Sequence, residues 1–295
     1  MELRNLESFI RVCESGSFSR AAEQLGYAQS TITAQIHQLE QELDGALFDR
    51  SGKRFALNQR GRTLLQYAYR ITALEKEAQA QLRDTRQVRG TLRIATLESI
   101  SIAFLPELLA EYLTDYPEVY VTVRTGSSTE EMGRLLTENQ IDLMLALDHR
   151  LLREDWICAW EREESIDFFC APEHPMAGQT EVPLARALET PLLVTEQDCA
   201  YRRLLMASCQ ELGFQPRLRV GIVSPQSVLA LTQRNIGVCV LPGFVGTEAV
   251  AAGRVAPFRV RELQLRLRMQ ALYSRERWVP PALRAFCELL ARRKA

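Results

Sequence analysis

The sequence predicts an α+β multidomain protein in which an all-α N-terminal region precedes a long helix and a two-lobed α/β region. Three observations predict this class. The first 45 residues contain three short helix patterns, a helical pattern runs from about residue 58 to residue 87, and strand and helix patterns alternate after Gly90. Such alternation implies parallel strands that are covered by helices. A length of 295 residues agrees with about two domains.

The near-neutral net charge of −1 conceals a segregation of charge along the chain. Residues 1–90 carry a net charge of +2, residues 91–253 carry −11 and residues 254–295 carry +8. The total therefore excludes no class of partner, nucleic acid included. Apolar runs are too short to cross a bilayer, and the first residues lack the apolar core of a secretory signal. We expect a cytoplasmic protein without a membrane partner.

The seven scattered cysteines predict reduced thiols rather than a disulfide framework. The sequence has three histidines and no Cys-x-x-Cys or His-x-x-x-His spacing, so we expect neither a metal nor another cofactor. It also lacks a nucleophile elbow and a glycine-rich phosphate loop, which predicts that the protein is not an enzyme. A solute-binding module of a transport system stays an alternative for the α/β region, although residues 1–90 disfavour it.

The third of the short helices has the clearest pattern. Its apolar residues Ile32, Ile36, Leu39 and Leu43 fall on one face at helical spacing. The opposite face carries small or polar groups, and Gln29 stands at the helix entry. The residues of this outward face are Ser30, Thr33, Ala34 and His37. Short side chains, hydroxyls and amides suit contact with base edges and phosphates, but a solvated helix face has the same composition.

The segment after the third helix favours the DNA-binding interpretation. Alternation around Phe55 and Leu57 predicts a small β-hairpin with its turn at Ser51–Gly52. No acidic residue falls between Asp49 and Glu75, whereas six basic residues do. These residues are Arg50, Lys53, Arg54, Arg60, Arg62 and Arg70. A basic hairpin beside such a helix is typical of phosphate anchoring next to base readout, as in a winged helix–turn–helix domain.

The long helical pattern carries one apolar stripe. Its members are Leu64, Ala68, Ile71, Leu74 or Glu75, Ala78 and Leu82. A helix of this length needs a partner for such a stripe. The partner is either the chain's own domain or a second copy of the chain, and we favour a dimer contact.

Residues 6–61, from LESFIRV to LNQRG, resemble the N-terminal signature of LysR-type transcriptional regulators. Short segments further along the chain also resemble the family, at Gly90–Ala95, Leu105–Pro106, Tyr116–Pro117, Ile141–Leu145 and Gly237–Pro242. The resemblance implies a winged helix–turn–helix domain at 1–58, a linker helix for dimerisation at 59–89 and a periplasmic-binding-protein-like effector domain at 90–295. Its first lobe would span about 90–161 and 266–295, and its second lobe about 162–265. Asp44 and Asn58 depart from the family's usual glycine and threonine.

The resemblance also implies partners and contact residues. DNA contacts would come from Gln29, Ser30, Thr33 and Ala34 and from the wing residues Arg50, Lys53 and Arg54, and the outward face adds His37. The expected partners are double-stranded promoter DNA, further copies of the chain in a dimer or tetramer, a small effector and RNA polymerase. The effector would be a carboxylate or another anion.

Polar residues at the ends of the predicted strands suit an effector cleft between the lobes. They are Ser99, Ser101, Thr125, Ser127, Ser128, Thr195, Cys199, Arg202 and Ser224. Ser128 and Ser224 can instead cap the helices that follow them.

The pair Cys199 and Cys209 resembles the disulfide-forming cysteines of the peroxide-sensing OxyR branch of the family, which makes thiol redox sensing an alternative function. Both residues fall on one predicted helix. Ten residues of helix span about 15 Å, whereas a disulfide needs Cα atoms within about 7 Å. A disulfide between them would therefore require that helix to unfold.

Overall fold

The computed structural model describes residues 1–49, 56–82, 88–276 and 278–293. The chain divides into two compact units, each with its own core. The N-terminal unit consists of Met1–Arg86 with Glu138–Gln140, and the C-terminal unit consists of Gln87–Thr137 with Ile141–Ala295.

The N-terminal unit contains helices and a short hairpin. Its elements are α1 (Leu3–Ser15), α2 (Phe18–Leu25), α3 (Gln29–Glu42), β1 (Phe48–Asp49), β2 (Ala56–Leu57) and α4 (Gln59–Leu82). The antiparallel pair β1–β2 forms the base of the predicted hairpin. The apolar faces of α1, α2 and α3 meet in a common core, where Phe9 packs against Phe48. Ile32, Ile36 and Leu39 are buried there as predicted, and Leu43 is half-buried against them.

Local sequence signals set the helix ends of this unit. The Ser17 hydroxyl accepts a hydrogen bond from the Arg20 amide and caps α2, and Gly26 ends α2 in the left-handed region. Asn58 caps α4, because its side-chain oxygen accepts the Gly61 amide at 2.9 Å. A Cβ atom at Gly61 would lie 2.1 Å from the Leu47 carbonyl oxygen, so only glycine permits this close approach.

The helix α4 has 24 residues and is about 36 Å long. The sequence predicts helix to residue 87, but residues 83–87 lie outside the described part of the chain. Leu64 and Ala68, in its first half, are buried in the unit's own core. Leu74 is 65% exposed, so the predicted apolar stripe is only partly covered within the chain.

The C-terminal unit alternates strands and helices, as the sequence predicts. Its elements are β3 (Gly90–Thr96), α5 (Glu98–Ala103), α6 (Leu105–Asp115), β4 (Val119–Thr125), α7 (Thr129–Thr137), β5 (Leu143–Asp148), β6 (Trp156–Cys170), α8 (Leu184–Ala187), β7 (Leu192–Val194), α9 (Ala200–Glu211), β8 (Leu218–Gly221), α10 (Pro225–Thr232), β9 (Val238–Pro242), α11 (Gly243–Ala251), β10 (Ala256–Phe258), β11 (Arg266–Ser274) and α12 (Pro281–Arg292).

These strands form two parallel groups joined by a pair of long antiparallel strands. In the first lobe β3 pairs in parallel with β4 and β5, and in the second lobe β7 pairs in parallel with β8 and β9. The strands β6 and β11 pair with each other, β11 also pairs with β5, and β6 also pairs with β9. The order among the described strands is therefore β4-β3-β5-β11-β6-β9-β7-β8, with β10 on β6. Two α/β lobes result.

The sequence predicts only part of β6 and misses α11 and β10. The missed first half of β6 ends in three consecutive charged residues, Glu161, Arg162 and Glu163, which interrupt its strand pattern. The structure pairs these charges across the sheet: Arg266 lies 2.8 Å from Glu163, and Arg268 lies 3.3 Å from Glu161. Arg293 likewise contacts Glu111 at 2.7 Å. Three basic residues of the segment 254–295 therefore pair with acidic residues of the segment 91–253 in the same chain.

Candidate functional site

The helix α3 presents the predicted DNA-reading face to solvent. Its five candidate residues are all exposed: Gln29, Ser30, Thr33, Ala34 and His37. The Thr33 hydroxyl donates to the Gln29 carbonyl at 3.0 Å, and the Gln41 amide lies 3.3 Å from the His37 ring. The Ser8 hydroxyl donates to the Gln35 side chain at 2.7 Å and ties α3 to α1. The core side of α3 is therefore fixed, while its outer side offers short polar groups.

Basic side chains follow the hairpin along α4. Arg60, Arg62 and Arg70 are exposed. The Arg62 guanidinium donates to the Leu57 carbonyl at 2.7 Å, and that of Arg60 donates to the Leu43 carbonyl. The predicted wing residues Arg50, Lys53 and Arg54 lie outside the described residues.

The two departures from the family pattern occupy well-defined positions. Asp44 has a φ of 52°, in the left-handed region where glycine is favoured, so the backbone turns there without a glycine. Asn58 bonds through its amide nitrogen to the Ala46 carbonyl at 2.7 Å, in addition to its capping bond. The chain thus turns at Asp44 before the hairpin, and the Asn58 side chain holds the base of the hairpin where the chain leaves it.

In the first lobe the candidate effector residues follow β3 and β4. These strands pair in register so that Thr125 lies beside Thr96 at their carboxyl ends. Ser99, in the first turn of α5, is 3% exposed, and its hydroxyl finds no hydrogen-bond partner among the described residues. Ser101 is half-buried on the same helix, and Thr125 is exposed. A buried hydroxyl without a partner is costly, which marks Ser99 as a group that a ligand can satisfy.

The residues before α7 act as a helix cap. The Ser128 hydroxyl accepts the Glu131 amide at 3.2 Å, while the amide and hydroxyl of Ser127 each donate to the Glu131 carboxylate at 2.8 Å. The backbone and side-chain bonds from Ser127 lower the pKa of Glu131 below its ordinary value. The Glu131 carboxylate therefore occupies the N-terminal end of α7, where an anionic ligand would otherwise bind.

In the second lobe the candidates gather around the start of α9. The Arg202 guanidinium donates to the Thr195 carbonyl at 2.7 Å and is half-buried. The Thr195 hydroxyl is buried beside the Cys199 thiol and the Tyr201 hydroxyl, whose pKa values are both raised, chiefly by burial. Ser224 precedes α10 but makes no side-chain capping bond. Thr195, Cys199 and Arg202 thus form one polar group at the end of β7.

Sequence reasoning missed Asp148 and Arg203. Asp148 ends β5, whose six residues are all buried, and its carboxylate meets the Arg203 guanidinium of the second lobe. A charged residue that directly follows the apolar run LMLAL is the signal that could have identified Asp148. Arg203 adjoins the predicted Arg202 but points to a different partner.

The cysteine pair has no disulfide geometry. Cys199 precedes α9, and Cys209 is buried within it. With α9 intact, their separation is about 15 Å along the helix axis. Burial raises the pKa of Cys209 to about 11, which leaves it a neutral and weakly reactive thiol at neutral pH. The second candidate function, redox sensing, therefore gains no support from this helix.

Among the described residues, no three His, Cys, Asp or Glu side chains lie close enough together to hold a metal ion. Every described helix is too short or too polar to span a bilayer. The features that stand out are an exposed helix–turn–helix face, exposed arginines on the helix α4 that follows the hairpin, and an α/β unit with polar groups at its strand ends. This combination defines a two-part regulator, in which one part reads DNA and the other binds a small molecule.

Comparison with known families agrees with this class. Residues 3–62 match the family described as bacterial regulatory helix-turn-helix protein, lysR family, and residues 85–295 match the LysR substrate binding domain. The uncharacterized HTH-type transcriptional regulator YwqM of Bacillus subtilis is 30% identical over 98% of this chain and 98% of its own length. The chain therefore belongs to the LysR family: it is a LysR-type transcriptional regulator with a helix–turn–helix DNA-binding domain and an effector-binding domain.

Solved structures share the fold. Full-length CbnR in complex with its target DNA superposes with a TM-score of 0.68 at 24% identity and covers 100% of both chains. The effector binding domain of QuiR in complex with shikimate superposes with a TM-score of 0.58 at 15% identity, over 70% of this chain and 97% of that one.

Proposed function

We propose that the regulator binds promoter DNA through α3 and the hairpin, and that an anionic effector bound between the two lobes modulates this binding. The observation that carries the proposal is the exposed outer face of α3, which has short polar groups, in a unit whose Arg60 and Arg62 are also exposed. Such a face can enter the major groove, while Arg60 and Arg62 can contact phosphates. Binding of DNA rather than chemistry on a substrate makes this a non-enzymatic role, exercised in the cytoplasm.

The base-reading residues in this proposal are Gln29, Ser30, Thr33, Ala34 and His37. Amide and hydroxyl groups can bond to base edges, and the Ala34 methyl can contact a thymine methyl. In this proposal the hairpin is anchored to the phosphate backbone of the DNA by the positive charges of Arg50, Lys53 and Arg54. These contacts suit a site with two similar halves about one DNA turn apart, since a symmetric dimer repeats them.

Self-association through α4 completes the DNA-binding arrangement. Tyr67 is 54% exposed and Leu74 is 65% exposed, and a spacing of seven residues places them on one side of the helix. A second copy of α4 would cover them, as in other paired helices. The edge strands β4 and β8 also expose Tyr120 and Leu218. Contacts at these edges would extend the dimer to a tetramer, and RNA polymerase is a further partner at the promoter.

The effector in this proposal is a small carboxylate or a similar anion. Ser99 offers a buried hydroxyl without a partner, and Arg202 offers a guanidinium at the end of β7. Both groups can bond to a carboxylate. The shikimate bound by the effector domain of QuiR is itself a carboxylate, which supports this chemical class.

The proposal is tested by retardation of a labelled DNA fragment from upstream of the protein's own gene. Thr33→Arg places a long charged side chain on the base-reading face, and we expect specific retardation to fall at least about tenfold. Arg50→Ala removes a phosphate contact, and we expect weaker binding with a smaller salt dependence.

The matched control is Arg254→Ala, since Arg254 is an exposed arginine of the C-terminal unit whose partner, Glu248, lies in the same unit. Mass measured by light scattering should be the same for all variants. Retardation by Thr33→Arg at the wild-type level would contradict the proposed DNA-reading face.

A further inference from the structure

A contact between the two lobes lies beside the candidate effector residues. Asp148 ends β5 in the first lobe, and Arg203 lies in the first turn of α9 in the second lobe. The Nη2 atom of Arg203 is 3.4 Å from Oδ2 of Asp148, within range of an ion pair. Arg202, the neighbour of Arg203, holds the Thr195 carbonyl in the same turn. The contact therefore joins the polar strand ends of both lobes.

The first lobe fixes the carboxylate of Asp148 firmly. Its side chain is 10% exposed. The Thr129 hydroxyl donates to Oδ2 at 2.8 Å, and the His149 amide donates to Oδ1 at 2.9 Å. Because Thr129 begins α7, these bonds connect the carboxylate to both a strand end and a helix start. A cationic partner stabilises a buried carboxylate that is held in this way.

The second lobe supplies a more exposed partner. The Arg203 side chain is 52% exposed, and its other terminal nitrogen donates to the Asp198 carbonyl. Since this contact is made by two side chains, it can break while every strand stays paired. One side is thus rigid and buried, and the other can leave for solvent or for another anion.

We propose that Asp148 and Arg203 form an interlobe latch, which holds the effector cleft closed until an anion draws Arg203 away. This inference rests on the proposed function, because it names a regulatory contact within the same cleft. Breaking the latch shifts the lobes toward an open arrangement. An ion pair with one exposed partner, as Arg203 is here, changes such an equilibrium about twofold to fivefold.

The test is hydrogen exchange on the full-length chain without effector or DNA, in the wild type, Arg203→Gln, Asp148→Asn and the double variant. The informative readout for Arg203→Gln is the first lobe, at the end of β5 and in Thr129–Thr137, since the substitution is in the second lobe. We expect amides there to exchange about twofold to fivefold faster. The double variant should exchange no faster than the faster single variant, and Arg203→Lys should restore much of the protection.

The matched control is Arg254→Gln. Arg254 is 49% exposed and lies 2.9 Å from Glu248, in an ion pair confined to the second lobe. We expect it to leave exchange in the first lobe at the wild-type rate. First-lobe exchange that is unchanged in Arg203→Gln, or effects that add in the double variant, would overturn the latch.

Failure of the latch and failure of the proposed function give different results. If Asp148→Asn fails to fold, the comparison of Arg203→Gln, Arg203→Lys and Arg254→Gln decides the question alone. Retardation of the upstream DNA fragment is measured in parallel. A wild-type chain that does not retard it contradicts the proposed function and leaves the exchange result standing.

Discussion

The N-terminal and C-terminal units place their candidate functional side chains in opposite environments. The candidate DNA-reading residues of α3 are all exposed, whereas Ser99, Thr195 and Asp148 of the effector-binding unit are buried. A DNA duplex meets a protein at its surface, so groups that read it must stay outside. A small ligand is enclosed, so groups that bind it lie inside. The buried Asp148 has a partner within the chain, Arg203, whereas the buried Ser99 hydroxyl has none among the described residues.

The two units also differ in the size of their cores. In the N-terminal unit a single small cluster joins all the helices, whereas the core of the C-terminal unit extends along the whole sheet. A small core depends more on each of its large side chains. This difference leads to the largest effect that we expect.

Phe9→Ala should destabilise the N-terminal unit selectively. Phe9 is fully buried and contacts Phe48, with ring centroids 5.6 Å apart. Loss of its ring costs about 3–5 kcal/mol, a large fraction of the stability of a small unit. Calorimetry should show the transition of the N-terminal unit at a much lower temperature, with retardation of DNA lost.

Phe286→Ala is the matched substitution in the other unit, since Phe286 is also fully buried and packs edge-on against Tyr112. It should lower the transition of the C-terminal unit alone. If each variant shifted both transitions equally, the two units would unfold together. That result would contradict the view that each unit depends on its own core.

Each unit has a non-glycine residue in the left-handed backbone region, Asp44 and Asn235. Replacing it by glycine should stabilise the unit, and this effect is smaller than the loss in the phenylalanine variants. Asp44 has a φ of 52°, and a glycine there relieves steric strain at some cost in chain entropy. We expect Asp44→Gly to stabilise the N-terminal unit by about 0.5–1 kcal/mol. Asn235→Gly, at a φ of 57° in the C-terminal unit, is the matched control. Because asparagine tolerates this conformation best among the other residues, its gain should be smaller. Chemical denaturation of both variants measures the difference.

The sequence predicts the DNA-reading unit closely because its signals are local. The spacing of Ile32, Ile36 and Leu39 determines which side of α3 is buried, and therefore which side is exposed. Gly26 and Ser17 fix the helix ends through their own backbone and side-chain preferences. None of these inferences needs a contact between distant residues.

The effector-binding unit is predicted less completely because its signals are distant in sequence. The charges of β6 hide a strand until Arg266 and Arg268 pair with them from more than a hundred residues away. Asp148 and Arg203 are 55 residues apart, and no periodicity relates them. The capping of α7 by Ser128 could be predicted, but the occupation of that helix end by Glu131 depends on side-chain geometry.

Glu131 gives the smallest effect, and it separates helix capping from ligand binding at α7. Bonds from the amide and hydroxyl of Ser127 hold the pKa of Glu131 below its ordinary value of 4.5. Its stabilising contribution is therefore fully present above pH 4.5 and is lost as the pH falls through the lowered pKa of the folded state.

Glu131→Gln should consequently reduce the acid sensitivity of the C-terminal unit, by less than about 1 kcal/mol. Denaturation in urea between about pH 6 and pH 3 measures this, with Glu130→Gln as the control. That control removes a charge from the same helical turn but keeps the bonds from Ser127. Equal acid sensitivity in Glu131→Gln and the wild type would mean that Glu131 does not stabilise the helix end. The N-terminus of α7 would then be available to an effector anion, and the difference between the exposed site on α3 and the enclosed site would extend to this helix.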